Sequence, residues 1–223
     1  MTDLFERDAM SITATDFASL LCSRLCHDLL SPVGALNNGL ELLADEHDPE
    51  MRARCLELLS ESARASANKL KFFRLAFGAA GGFGDEVDTR EAKAAIEGLF
   101  GVDGRIELGW LVAEQALSKT AIKVLLNLAL IAGDGLVRGG RLDVGAEKTA
   151  NGTEIVVRAE GPRLVLDPEL RKALLGQTPE EELTPRAAAA WLVHRITRDT
   201  GGEIQVSESG APFLLFGAAL GAG

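Results

Sequence analysis

Wound at about 100° per residue, Phe17, Leu21, Leu25, Leu29, Val33, Leu36, Leu40 and Leu43 fall on one face, within about 100° of arc. That stripe predicts one long amphipathic helix over residues 15–44, with Thr15 or Asp16 as its N-cap. The Asp45-Glu46-His47-Asp48-Pro49 stretch reads as a turn, with Pro49 in the first turn of a second helix. The second helix carries Leu56, Leu59, Ala63, Ser66, Leu70, Phe73 and Phe77 at helical spacing and is expected to end at Gly78. Two helices of about 28 residues span roughly 40 Å each. A lone antiparallel hairpin cannot bury both stripes. A second copy would bury them in a dimeric four-helix bundle; the alternative is that the hairpin packs on the rest of its own chain.

His27 points away from the middle of the first stripe. Around it on the outer face come Leu20, Arg24, Ser31, Gly34 and Asn38. A lone helical histidine is usually a solvated bystander, but this one projects from the core beside a carboxylate and a patch of small residues. Pro32, inside the same helix, lacks a donor and predicts a kink one turn past His27.

Composition narrows the partners. The chain has 223 residues, 47% of them hydrophobic, enough for a substantial core, and a net charge of −10 argues against nucleic acid or an anionic membrane as partner. It has no apolar run of membrane-spanning length, and its amino end shows no signal pattern, so a cytoplasmic protein is expected. Cys22, Cys26 and Cys55 suggest a reducing compartment without a disulfide framework. The Cys22-x3-Cys26-His27 spacing is not that of a metal or haem site.

Gly78-Ala79-Ala80-Gly81-Gly82-Phe83-Gly84 reads as a domain boundary, dividing residues 1–80 from 85–223. Beyond it helices are expected over 88–100, 119–136, around 167–175 and over 185–200. Strands are expected over 105–110, 141–147, 154–159, 203–207 and 212–218. Helices segregated on one face of a mixed or antiparallel sheet make an α+β layer domain.

Over nearly its whole length the chain resembles a histidine kinase core. Arg24-Leu25-Cys26-His27-Asp28-Leu29-Leu30-Ser31-Pro32 looks like the phosphoacceptor box. Val124-Leu125-Leu126-Asn127-Leu128 looks like the start of the asparagine box of the ATP-binding domain, and residues 200–206 like the turn and strand near its end. The nucleotide-binding parts depart from the pattern. Ile131 stands where the resemblance calls for a second, magnesium-holding asparagine. Ala159-Glu160-Gly161-Pro162-Arg163 lacks the adenine-reading aspartate. Glu182-Leu183-Thr184-Pro185-Arg186 lacks the glycines that let a backbone cradle phosphate.

With Ser23–Pro32 and Phe73-Arg74-Leu75-Ala76-Phe77-Gly78-Ala79, this combination resembles the ChpT-type histidine phosphotransferases of alphaproteobacteria. The resemblance implies a C-terminal α/β-sandwich like a degenerate kinase ATP-binding domain that no longer uses ATP. It implies a hybrid kinase's receiver domain as phosphate donor and response regulators as acceptors. It also implies His27 as the phosphorylated residue, through its outward nitrogen. Magnesium and the acceptor aspartate would come with the receiver, so neither cofactor nor metal is expected on this chain.

Such a transfer needs in-line approach and charge stabilisation, with a neutral, exposed imidazole as nucleophile. Asp28 either accepts a hydrogen from the ring or is a solvated helix carboxylate. Arg24 either pairs with arriving phosphoryl oxygens or is a surface arginine. Ser31 bonds the ring, a carboxylate or its own helix backbone near Pro32. Leu20, Gly34 and Asn38 suit docking of a partner helix; Arg74 suits a partner contact or a tie between hairpin and second domain. Three rival readings stay open: an ATP-using kinase with divergent boxes, a scaffold that binds receivers without accepting phosphate, and a receiver-directed phosphatase in which Asp28 and Ser31 position water.

Overall fold

A computed structural model describes residues 12–78, 84–101 and 104–221. The first helix, α1, spans Ala14–Asp45. Its N-cap is Thr13, two residues before Thr15 and three before Asp16, the caps expected: the Thr13 hydroxyl accepts from the Asp16 amide at 3.1 Å. α1 is assigned without a break through Pro32, which is buried. The second helix, α2, spans Pro49–Ala76, with Pro49 at its start and Asp48 capping the Glu50 and Met51 amides. It ends two residues before Gly78, at a Phe77 cap. The stretch read as a domain boundary lies partly, at 79–83, outside the described residues.

The rest of the chain runs β1 (Glu86–Asp88), α3 (Thr89–Phe100), β2 (Ile106–Val112), β3 (Ala116–Ser118), α4 (Lys119–Asp134), β4 (Gly140–Thr149), β5 (Gly152–Glu160), α5 (Pro168–Leu174), α6 (Ala188–Asp199), β6 (Glu203–Val206) and β7 (Leu214–Gly221). A five-stranded sheet has the order β2-β4-β5-β7-β6, with only the β2–β4 pair parallel. The strands alternate as half-buried strands should: Leu142, Val144 and Ala146 of β4 and Ile155, Val157 and Ala159 of β5 face the core. On the open face Arg141 pairs with both Glu107 and Asp143, each at 2.8 Å. β1 and β3 form a separate antiparallel pair. At three residues each they are too short to show an alternation, and sequence reading missed them.

α4 is apolar on nearly every side, the mark of a helix with no solvent face. It lies between the sheet and the other helices, with Ile122, Leu125, Leu126 and Leu128 fully buried. The core continues into the hairpin: Phe72, Phe73, Leu75 and Ala76, the last turns of α2, belong to the same buried cluster as α3 and α4. The amino end of α1 rests on α6, where the Phe17 and Trp191 rings lie 4.6 Å apart. Among the described residues no helix is long and apolar enough to cross a membrane.

The apolar stripe of the hairpin is therefore divided. Phe17, Leu25 and Leu29 pack against the core of this chain. Farther along, Val33, Leu40, Leu42 and Leu56 are exposed, Leu40 by 56% and Leu56 by 54%. Because Phe72 is fully buried in a core shared by both parts, Phe72→Ala should cost about 3–5 kcal/mol. Urea unfolding followed by Trp110 and Trp191 fluorescence should report that loss; transitions unmoved by the change would show two independent cores.

Candidate functional site

α1 carries Arg24, His27 and Asp28 over one turn, where residues three and four apart become neighbours. The His27 side chain is 84% exposed, with Nδ1 3.2 Å from Asp28 Oδ1. The other oxygen of the same carboxylate, Oδ2, accepts from Arg24 Nε at 2.6 Å. Arg24 and Asp28 are each only 17% exposed, so their attraction is less screened by water than that of a surface pair. Asp28 thus offers one oxygen to the imidazole while the guanidinium grips the other.

The grip extends into the second part of the chain. Arg24 Nη2 lies 3.5 Å from Asp134 Oδ2, and Arg24 Nη1 is 3.5 Å from the Arg186 carbonyl oxygen. Between α1 and these residues opens a cleft of about 620 Å³, lined by Ser23, Arg24, His27, Asp28, Ile131, Asp134 and Arg186 among others. Lys69, on α2, donates from Nζ to the Asp28 carbonyl oxygen at 2.8 Å. Asp134 and Lys69 were not found from the sequence. Asp134 lies 106 positions from Asp28 in the chain, so no local pattern signals it; Lys69 is one of two lysines, with Lys71, among the cations of an amphipathic helix.

Half of the Asp134 side chain reaches solvent, yet the walls of the cleft crowd it. That burial pushes its carboxyl above the ordinary carboxylate range; Arg24 opposes the push, Asp28 adds to it and Lys69 opposes it.

The other expected residues fall in several places. Ser31 and Asn38 are exposed farther along α1, and the space beside Gly34 is open. Leu20 does not stand free on the outer face as expected: it is half-buried and packed against the core, because the amino end of α1 is seated on α6. The exposed leucine near His27 is Leu30, 68% accessible. Arg74 is exposed and lines a different groove, between α2 and α3, with Asn68, Lys71 and Glu91.

The residues read as a degenerate asparagine box are turned to packing. Asn127 is fully buried, and its Nδ2 donates to the carbonyls of Ala76, at 3.0 Å, and Lys123, at 2.8 Å. Ile131 is buried in the core and forms part of the cleft floor.

Residues 89–212 match the family described as "Histidine phosphotransferase C-terminal domain". The chain is 34% identical over 197 residues to the protein phosphotransferase ChpT of Brucella abortus (strain 2308), covering 88% of this chain and 92% of that protein. It also superposes on the solved structure of a bacterial phosphotransferase with a TM-score of 0.82 and 33% identity, over 95% of this chain and 99% of the other. A looser likeness, TM-score 0.45 at 15% identity, covers 87% of this chain and 97% of the Acinetobacter baumannii histidine kinase AdeS. The chain therefore belongs to the histidine phosphotransferase family, and within it to the ChpT type.

The raised Asp134 carboxyl makes a testable demand. Its folded value lies above the unfolded one near 3.8, so folding disfavours its ionised form. The wild type should thus lose stability relative to Asp134→Asn as pH rises from that value through the raised one. Urea titrations stepped from about pH 4 to about pH 7 should show the asparagine variant gaining with pH; a gap that stays constant would show an unperturbed Asp134.

Proposed function

We propose that His27 is the phosphoacceptor of a phosphorelay, taking phosphate from the receiver aspartate of a hybrid histidine kinase and passing it to response-regulator aspartates. The observation that carries this reading is the split coordination of Asp28, with one oxygen toward the His27 Nδ1 and the other held by Arg24. With the ring hydrogen on Nδ1 and donated to Asp28, Nε2 keeps its lone pair and faces solvent. Nε2 then attacks the phosphorus of an aspartyl phosphate, the N–P bond forms as the P–O bond to aspartate breaks, and the aspartate leaves as a carboxylate. Asp28 stabilises the positive ring that results. Passage to the next receiver is the reverse reaction on a new aspartate.

Arg24 serves first as the holder of Asp28, since its Nε is committed there. Ser31, Gly34 and Asn38 continue the exposed face along which a receiver docks, with Leu30 in place of Leu20 as its apolar contact. Arg74, in its separate groove, is assigned to a partner contact away from the histidine. Magnesium belongs to the receiver, where the aspartyl phosphate forms, and this chain is assigned no cofactor. Ile131 in place of an oxygen ligand favours a relay over an ATP-using kinase.

The exposed leucines of the distal hairpin favour a second copy as their cover, completing a four-helix bundle. Light scattering should then give twice the 23.6 kDa of the chain, and Leu56→Glu should drive it toward the monomer; a wild-type monomer at micromolar concentration would refute the bundle.

Phosphate flow is tested by offering the protein, with magnesium, either labelled ATP or a labelled phospho-receiver. Label should enter only from the receiver and be lost entirely in His27→Ala. Label from ATP would make the protein a kinase, and a wild type that binds the phospho-receiver without taking up label would make it a scaffold.

A further inference from the structure

Each amide of an α-helix donates to the carbonyl four residues back, so the Asp28 carbonyl should receive its hydrogen from residue 32. Residue 32 is Pro32, which has none to give. The helix nevertheless continues to Asp45. The missing donor comes from the other helix: Lys69 Nζ donates to this same carbonyl at 2.8 Å, across 41 residues of sequence. An unpaired carbonyl in this partly buried seam would cost stability, and the ammonium supplies a charge-assisted bond in place of the ordinary one.

The location of this repair gives it a second consequence. Asp28 is the residue whose side chain faces His27 Nδ1 on one oxygen and Arg24 Nε on the other. Fixing its carbonyl fixes the base of that side chain at the one point where α1 has lost an internal bond. The same contact ties this turn of α1 to α2, whose end is anchored in the shared core. Lys69 thereby links the core to the reacting turn.

We infer that Lys69 is a positioning residue for phosphotransfer at His27: its ammonium stands in for the amide hydrogen that Pro32 lacks and holds the Asp28–His27 pair in register. The inference rests on the reading of His27 as phosphoacceptor. Lys69 acts through the Asp28 backbone and makes no contact with the imidazole among the hydrogen bonds of the described residues. Small misplacements of a reacting pair have large effects on rate, so the bond matters beyond its contribution to stability.

The test is a cycle on the full-length protein with Lys69→Met, Lys69→Arg, Pro32→Ala and the Lys69→Met/Pro32→Ala double variant. Phosphoramidate serves as donor: its P–N bond breaks as the His27 N–P bond forms, and ammonia leaves. Phosphohistidine is followed by ³¹P NMR, and imidazole ¹⁵N shifts report the ring tautomer. Lys69→Met should slow phosphorylation roughly tenfold and weaken the Nδ1–H preference of His27. Lys69→Arg should restore most of the rate. In the Pro32→Ala background the lysine change should matter less than about twofold, since an alanine amide there supplies the hydrogen.

Equal losses in both backgrounds, or a folded Lys69→Met protein with wild-type rate and tautomer, would overturn the inference. Should Lys69→Met alone not fold, the double variant must, and its failure to fold would overturn the inference equally. A wild type that forms no phosphohistidine would instead overturn the reading of His27 itself.

Discussion

The last turns of α2 are built into the core of the layer domain, and the placement of every other group near His27 follows from that. Phe72 and Ala76 are fully buried, with Phe73 and Leu75 nearly so, among the side chains of α3 and α4. Asn127 adds a hydrogen bond from the middle of α4 to the Ala76 carbonyl. Dispersion and apolar burial have no direction of their own. A buried amide that must reach one particular carbonyl has, so it sets the register in which α2 enters the core. With α2 fixed, α1 is fixed beside it, and the cleft between Arg24 and Asp134 acquires its two walls.

Much of this was legible in advance because it rests on local rules. Helical spacing gave both long helices to within a few residues, and the helix at Lys119 could be read from its unbroken apolar character. The strands of the large sheet showed their alternation. What escaped had no local signal. The β1–β3 pair sends only Val87 and Leu117, one side chain from each strand, into the core, too few to make a pattern. Leu20 satisfied a helical-wheel argument for exposure, but the wheel knows nothing of α6, which lies 160 and more residues away and covers that turn. The division at the glycine-rich stretch follows composition, whereas the core follows packing and runs across it.

The candidate site shows the same split. His27, Asp28 and Arg24 form a local triplet, and the sequence pattern brought them out together. Asp134 and Lys69 belong to it only through the fold. Spacing leaves Arg24 either a partner for arriving phosphoryl oxygens or a surface arginine; the structure shows its Nε on Asp28, Nη2 toward Asp134 and Nη1 toward the Arg186 carbonyl. In a partly desolvated cleft a guanidinium takes the nearest carboxylate geometry available, and spacing along one helix cannot reveal which carboxylates a distant element will bring.

The openness of His27 has a consequence for selectivity. Its side chain is 84% exposed, so under the role proposed for it the ring is presented rather than enclosed. Whatever meets it then brings the other half of the reacting site. Discrimination among partners falls to the surface around the ring, where contacts are made one protein at a time, and not to a pocket that sorts them by fit.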